Sequence, residues 1–187
     1  MMKRCFDLVL AVLLLVILLL PLLIVAVAVR LTSKGPALHW SKRVGKDNKI
    51  FLMPKFRSMR IDTPQVATHL LKEAKSFLTP VGGFIRKTSL DELPQLWSVF
   101  TGEMSFVGPR PALFNQDDLI QLRTERGVSH LRPGITGWAQ VNGRDELPIP
   151  IKVEYDVFYA QNRSVFLDVK IILLTAYKVF QAEGIQH

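Results

Sequence analysis

Residues Leu8–Val29 form a run of 22 residues without a charge, and a proline stands inside it at position 21. A straight helix of that length is about 33 Å long, enough to cross a bilayer. Pro21 complicates that reading. It has no N–H, it leaves the carbonyl of Ile17 without its helical donor, and its ring pushes on the preceding turn. The pieces on either side, Leu8–Leu20 and Leu22–Val29, are each too short to span a bilayer alone. Three readings of the segment stand. It is a kinked transmembrane span, whose freed carbonyl then needs a partner. It is a signal peptide, with Ala26-Val27-Ala28 placed like a cleavage site. Or it is a re-entrant helix that enters one leaflet, breaks at Pro21 and returns. Lys3 and Arg4 before the run and Arg30 and Lys34 after it suit both ends of a re-entrant helix lying on the cytoplasmic face.

Charge narrows the partners. The net charge is +8, and nine of the basic residues lie between Arg30 and Arg60 against one acid, Asp47. Such a block attracts polyanions: nucleic acid, anionic lipid headgroups or phosphorylated substrates. Its place directly after the apolar run favours a membrane surface. The single cysteine excludes an intramolecular disulfide framework and a cysteine-based zinc site. The four histidines show no metal-ligand spacing. No P-loop, Gly-x-Gly-x-x-Gly or His-Glu-x-x-His sequence occurs, so P-loop enzymes, Rossmann oxidoreductases and zincins lose their support.

The remaining chain reads as one α+β unit, mostly helical, with no internal repeat or long linker. Residues 1–30, which hold the apolar run, and residues 31–187 read as one structural unit. Ala37–Val44 and Lys49–Phe56 flank Gly45-Lys46-Asp47-Asn48 and predict a β-hairpin, in which Pro54 confines its strand to an edge or ends it. Helices are expected at Val66–Leu78, Leu90–Phe100, Gln116–Arg126, Lys152–Gln161 and Val165–Gln181. The last is too polar to span and is either a core helix or an interfacial one. Arg132–Arg144, with Pro133, Gly134, Gly137 and Gly143, reads as a loop of constrained backbone.

Asp91 and Glu92 are adjacent acids in Ser89-Leu90-Asp91-Glu92-Leu93-Pro94. Ser89 and Glu92 have capping-box spacing, and acids in a first turn favour the helix dipole. The alternative is chemical: neighbouring carboxylates can divide attack or proton transfer from metal binding, with Mg²⁺ the ion that suits carboxylates and phosphates together. Arg110 stands between Pro109 and Pro111, which fix the backbone around a guanidinium able to fork onto a phosphate. Lys55, Arg57, Arg86 and Lys87 either meet phosphates or are solvated. Trp138 suits base stacking, a bilayer interface or a core, and the neighbouring glycines allow a close backbone approach to a ligand. Asp156 and Asp168 are acids within late helices and read by default as an ordinary surface pair.

Four motifs then occur in order: Lys55-Phe56-Arg57-Ser58-Met59; Thr88-Ser89-Leu90-Asp91-Glu92-Leu93-Pro94-Gln95-Leu96; Gly102-Glu103-Met104-Ser105-Phe106-Val107-Gly108-Pro109-Arg110-Pro111; and Arg132-Pro133-Gly134-Ile135-Thr136-Gly137-Trp138 continuing to Arg144. Together with Asp156-x-x-Tyr159 and Leu167-Asp168-Val169-Lys170, they cover nearly the whole chain. The sequence strongly resembles the bacterial sugar transferases, the monotopic phosphoglycosyl transferases, in a minimal catalytic form. The resemblance implies transfer of a phosphosugar from a UDP-sugar to polyprenol phosphate, with release of UMP. By motif position Asp91 is the nucleophile, forming an aspartyl-phosphosugar intermediate, and Glu92 completes the dyad. Both acids would organise Mg²⁺. Lys55 and Arg110 fall on phosphate-binding motifs, Asp156 is a further active-site acid, and Arg144, Gly137 and Trp138 look like nucleotide-side residues. The implied setting is the cytoplasmic face of a bacterial inner membrane, with membrane lipids and polyprenol phosphate (undecaprenyl phosphate) as partners and no nucleic acid. The resemblance also favours the re-entrant reading of Pro21. Two positions depart from the pattern: Leu20 stands where some members place Ser before the proline, and Pro54 directly precedes Lys55. Read without the resemblance, the basic block leaves open a membrane-anchored nucleic-acid-binding module.

Overall fold

The computed structural model describes residues 2–64, 74–143 and 147–180. Two helices, α1 (Met2–Ile17) and α2 (Leu19–Thr32), meet at an angle of 62°. The break falls at Leu18, three residues before Pro21. A proline disturbs the turn on its N-terminal side, so Pro21 sits undistorted in the first turn of α2 while the helix parts ahead of it. No single helix among the described residues is long and apolar enough to cross a membrane. The pair turns its apolar surface outward. Only Asp7, Ala11, Val25 and Val29 are buried along it, whereas Val9, Val16, Leu20, Ile24 and Leu31 are exposed.

The polar ends of this pair are tied to the rest of the chain. The Arg4 guanidinium donates to the carbonyls of Val99 (2.6 Å) and Phe100 (2.8 Å), near the C-terminal end of α4 (Gln95–Thr101). Asp7 accepts from Ser105 Oγ at 2.9 Å and from the Phe106 N–H at 3.2 Å. Lys3 pairs with the buried Asp168 of α8 (Val165–Phe180) at 2.6 Å, and Tyr159 donates its hydroxyl to the same carboxylate at 2.7 Å. At the far end, Arg57 binds the carbonyls of Ser33, Lys34 and Gly35 and the Ser33 hydroxyl. Those carbonyls leave α2 without helical donors, and a guanidinium supplies several at once. Arg57 is therefore buried against the return of the helix pair and not presented to a phosphate.

The hairpin forms as read: β1 (Leu38–Val44) pairs antiparallel with β2 (Ile50–Phe56), in the register Leu38↔Phe56 and Val44↔Ile50. Pro54, opposite Trp40, is tolerated because the sheet has two strands and each is an edge. Phe51 and Met53 face the core, and the period of two places Lys55 on that same face at the strand's end.

A second, parallel pair joins β3 (Ser105–Val107) to β4 (Gly134–Thr136). Here glycine matters for spacing. A β-carbon on Gly134 would lie 2.2 Å from the Gly108 nitrogen, and one on Gly137 would lie 2.1 Å from the Gly108 carbonyl oxygen. The glycines thus let two backbones touch each other, where the sequence suggested approach to a ligand. The contact is sealed by Gly108 N–H to the Thr136 carbonyl and Gly134 N–H to the Pro109 carbonyl, both 2.9 Å.

After the seam, α6 (Trp138–Val141) packs on α7 (Ile149–Asn162), which α5 (Asp117–Glu125) also contacts, while α3 (Gly82–Lys87) packs against the turn at Leu90–Glu92. Met53, Leu96, Val99, Met104, Val107, Tyr159 and Ile171 make the main core, and Leu10 and Leu14 of α1 pack against it. The expected helix at Val66–Leu78 lies mostly outside the described residues; its described end, Ala74–Phe77, is a 3-10 turn. The expected helix Leu90–Phe100 is split: Leu90–Glu92 is a 3-10 turn, and α4 starts only after Pro94. The last three expected helices appear as α5, α7 and α8, with ends shifted by a few residues.

Candidate active site

The chain enters the Leu90–Glu92 turn through Ser89, which takes a left-handed conformation at φ +57°. No capping box forms. The Ser89 side chain makes no cap hydrogen bond, and Glu92 turns away from the backbone toward two cations. Lys55 Nζ donates to Glu92 Oε1 at 2.7 Å, and Arg110 Nη2 approaches the same oxygen at 3.4 Å. Three separate pieces of chain therefore converge here: the end of β2, the 3-10 turn, and the loop after β3 with its two prolines. Asp91, 8% exposed, lies beside them, and no described side chain hydrogen-bonds to its carboxylate.

The two acids have opposite electrostatic fates. Burial pushes the Asp91 carboxyl up to about 6; the Glu92 charge adds to that rise, while Lys55, Arg86 and Arg110 oppose it. For Glu92 burial also pulls upward. The charges of Lys55 and Arg110 and their hydrogen bonds outweigh it, holding this carboxyl well below the usual carboxylate range. Asp91 gains nothing from an α-helix N-terminus, since α4 begins at Gln95. At pH 7 it is still about nine-tenths ionised. Among the described residues the dyad thus holds one acid kept ionised by two cations and one carboxylate without a hydrogen-bond partner.

Asp156 is brought to the site only indirectly. It is buried on α7, and its Oδ2 accepts from Arg123 Nε at 2.9 Å and Nη2 at 2.7 Å. Arg123 Nη1 in turn donates to the Arg110 carbonyl at 2.8 Å. Burial raises the Asp156 carboxyl, and the Arg123 charge opposes this. The pair is a brace behind the loop that carries Arg110. Arg123 had no signal in the sequence: it is one cation on a polar helix, and its burial follows from how α5 packs on α7.

Of the nucleotide-side residues, Gly137 is buried in the seam with Gly108. Trp138 stacks on Phe158 with ring centroids 5.4 Å apart, and Lys170 Nζ lies 5.7 Å from the Trp138 ring centroid. Arg144 lies outside the described residues. No group of three or more His, Cys, Asp or Glu among the described residues could by itself hold a metal ion. The donor set still suits Mg²⁺, which is commonly bound through one or two carboxylates and completed by water and substrate phosphates. Asp91 and the second oxygen of Glu92 would be its protein ligands.

This geometry sets a pH dependence. Were Asp91 the attacking carboxylate, its protonation would stop the attack, and kcat/KM would fall about tenfold per pH unit below about pH 6. Glu92→Gln removes a charge that raises the Asp91 carboxyl and moves this acid limb to lower pH; Lys55→Met moves it higher. Profiles of the three proteins measure the shifts, and an unmoved limb in both variants would separate Asp91 from the pH-dependent step.

Comparison with known proteins places the chain in a family. The family model for bacterial sugar transferases matches residues 1–182. The uncharacterized sugar transferase EpsL of Bacillus subtilis is 43% identical over 187 residues, which cover 99% of this chain and 90% of EpsL. The UDP-glucose:undecaprenyl-phosphate glucose-1-phosphate transferase of Escherichia coli is 42% identical over 96% of the chain and 40% of its own length. The undecaprenyl-phosphate galactose phosphotransferase of Salmonella typhimurium is 37% identical over 98% of the chain and 41% of its own length. The chain thus spans nearly all of EpsL and about two-fifths of these two relatives. It belongs to the bacterial sugar transferase family.

Proposed function

We propose that this chain transfers a phosphosugar from a UDP-sugar to polyprenol phosphate, yielding a polyprenyl diphosphate sugar and UMP. The observation that carries the reading is the dyad in its cationic frame: Asp91, without a hydrogen-bond partner among the described residues, beside Glu92 held by Lys55 and Arg110. The names of the Escherichia coli and Salmonella relatives support undecaprenyl phosphate as the acceptor.

In the first step an Asp91 oxygen attacks the β-phosphorus of the donor. The bond from that phosphorus to the bridging oxygen breaks, and UMP leaves with the electron pair. In the second step a phosphate oxygen of the polyprenol attacks the same phosphorus, and the Asp91 carboxylate leaves. An ionised carboxylate needs no base for this attack, and splitting the displacement makes ping-pong kinetics the expectation. Lys55 and Arg110 hold Glu92 in place and offer charge to the phosphates. A guanidinium can make two parallel bonds where an ammonium offers a point charge. Magnesium, when bound at the dyad, would supply further positive charge against the repulsion between Asp91 and the diphosphate. By motif position Trp138 and Arg144 fall to the nucleotide side, whereas Gly137, packed on the Gly108 backbone, serves only to position that loop.

We further propose that α1 and α2 form a re-entrant pair at the cytoplasmic face of the bacterial inner membrane. The 62° bend, the outward apolar surface and the tethering of both polar ends to the same domain support this reading. Among the described residues, Trp97, Phe100, Phe166, Leu173 and Tyr177 are also exposed, which suits helices α4 and α8 to an interface.

Two measurements test these proposals. UMP release from a panel of UDP-sugars is expected for at least one sugar, dependent on polyprenol phosphate for turnover; release from none would overturn the assignment. Arg110→Lys should lower that turnover by about tenfold or more at saturating donor. For topology, single cysteines at position 2 and within residues 45–48, in a Cys5→Ser background, should both be labelled only from the cytoplasm. Periplasmic labelling at position 2 would restore a span.

A further inference from the structure

A cleft of about 560 Å³ lies apart from the dyad: Lys55, Asp91, Glu92 and Arg110 are not among its lining residues. It lies between the start of α1, the loop before β4 and the junction of α7 with α8. Its basic lining is Lys3, Arg4, Lys46, His130, Arg132 and Arg163. The acids facing it are Asp7 and Asp168, both buried and both already engaged. Asp7 takes Ser105 and the Phe106 N–H, and Asp168 takes Lys3 and Tyr159. Asp168 balances Lys3, and the lining keeps an excess of basic over acidic side chains, with Arg132 and Arg163 beyond these pairs. Arg132 binds only a carbonyl, that of Gly102 at 2.8 Å, and no ion pair among the described residues involves Arg132 or Arg163. Lys46 faces Asp47 across 3.7 Å in solvent.

We propose that this cleft is a binding site for a phosphate-bearing group, separate from the catalytic dyad. Its volume falls in the range of small-ligand pockets, and its excess of guanidinium and ammonium donors matches phosphate oxygens. The source of that phosphate is addressed by position, and this part rests on the re-entrant reading above. The uncharged run begins at Leu8, and a helix rises 1.5 Å per residue, so Lys3 stands at most about 7.5 Å beyond the start of that run, and less where α1 is tilted. A headgroup layer is roughly 5–8 Å thick on each side of the hydrocarbon. The cleft therefore lies at the depth of lipid phosphates, and an acidic phospholipid headgroup is the source best matched to it; a soluble phosphate shares the chemistry.

Native mass spectrometry on the full chain in detergent tests this. The probes are dioctanoyl phosphatidylglycerol, dioctanoyl phosphatidylcholine and inorganic phosphate. An Arg132→Ala/Arg163→Ala variant is compared with a charge-matched Lys49→Ala/Arg126→Ala control. Saturable binding of the glycerol lipid over the choline lipid, weakened about tenfold or more in the first variant and kept in the control, is expected. Saturable binding of inorganic phosphate with the same variant pattern, and none of the lipid, would keep the site and reassign its source to a soluble phosphate. Binding of neither probe, or equal weakening in both variants, would overturn the proposal. Asp91→Asn should bind the probe as the parent does, so loss of UMP release and loss of this site are read separately.

Discussion

The candidate site depends on one oxygen atom, Glu92 Oε1, and the two cations that reach it. Lys55 comes from the hairpin, Arg110 from the loop after β3, and Glu92 from a 3-10 turn between them. Lys55 and Glu92 are largely buried, so leaving either unpaired would be costly, while Arg110 approaches from the more exposed side. The same cluster separates the electrostatics of the dyad. Glu92 has its charge balanced where it stands. Asp91, buried beside that charge, is raised to about 6 and still mostly ionised near neutrality. A carboxylate in that condition has lost part of its hydration without gaining a fixed partner, which suits it to attack.

Behind the cluster the chain is built to keep the two loops in register. Gly108, Gly134 and Gly137 bring the backbones of the Gly-Pro-Arg-Pro segment and the Arg-Pro-Gly-Ile-Thr-Gly segment into direct contact. The Asp156–Arg123 pair then holds the Arg110 carbonyl from the other side. The bent helix pair is part of the same construction. Lys3, Arg4 and Asp7 at one end and Arg57 at the other bind it to the domain, so the position of the apolar surface and the position of the dyad are mechanically linked.

Much of this was legible in the sequence. The hairpin followed from two apolar runs around a turn cluster, and the bend followed from a proline in an uncharged run. Its location did not, because proline acts on the turn before it and the break falls at Leu18. Spacing alone also misread Ser89 and Glu92. A capping box needs a helix to start there, and Pro94 delays α4 to Gln95. Arg57 and Lys55, two apart in one basic motif, share a strand face by periodicity, yet one binds the end of α2 and the other Glu92. Arg57 lies just past the strand's end, where alternation no longer governs direction. Arg123 was invisible because nothing in a polar helix marks which cation will be buried against a partner helix. The glycines around Trp138 were recognised as sites of close approach, but only the fold shows that the approaching group is another stretch of backbone.

The central claim is that Asp91, and no other residue, accepts the phosphosugar. Asp91→Asn keeps the shape of the side chain and removes the attacking charge. Intact-protein mass after incubation with donor and Mg²⁺, without acceptor, gives the most direct test. The parent and Glu92→Gln proteins are expected to gain the mass of one phosphosugar, and Asp91→Asn to gain none. A phosphosugar increment on Asp91→Asn, once deamidation back to Asp is excluded, would contradict the account.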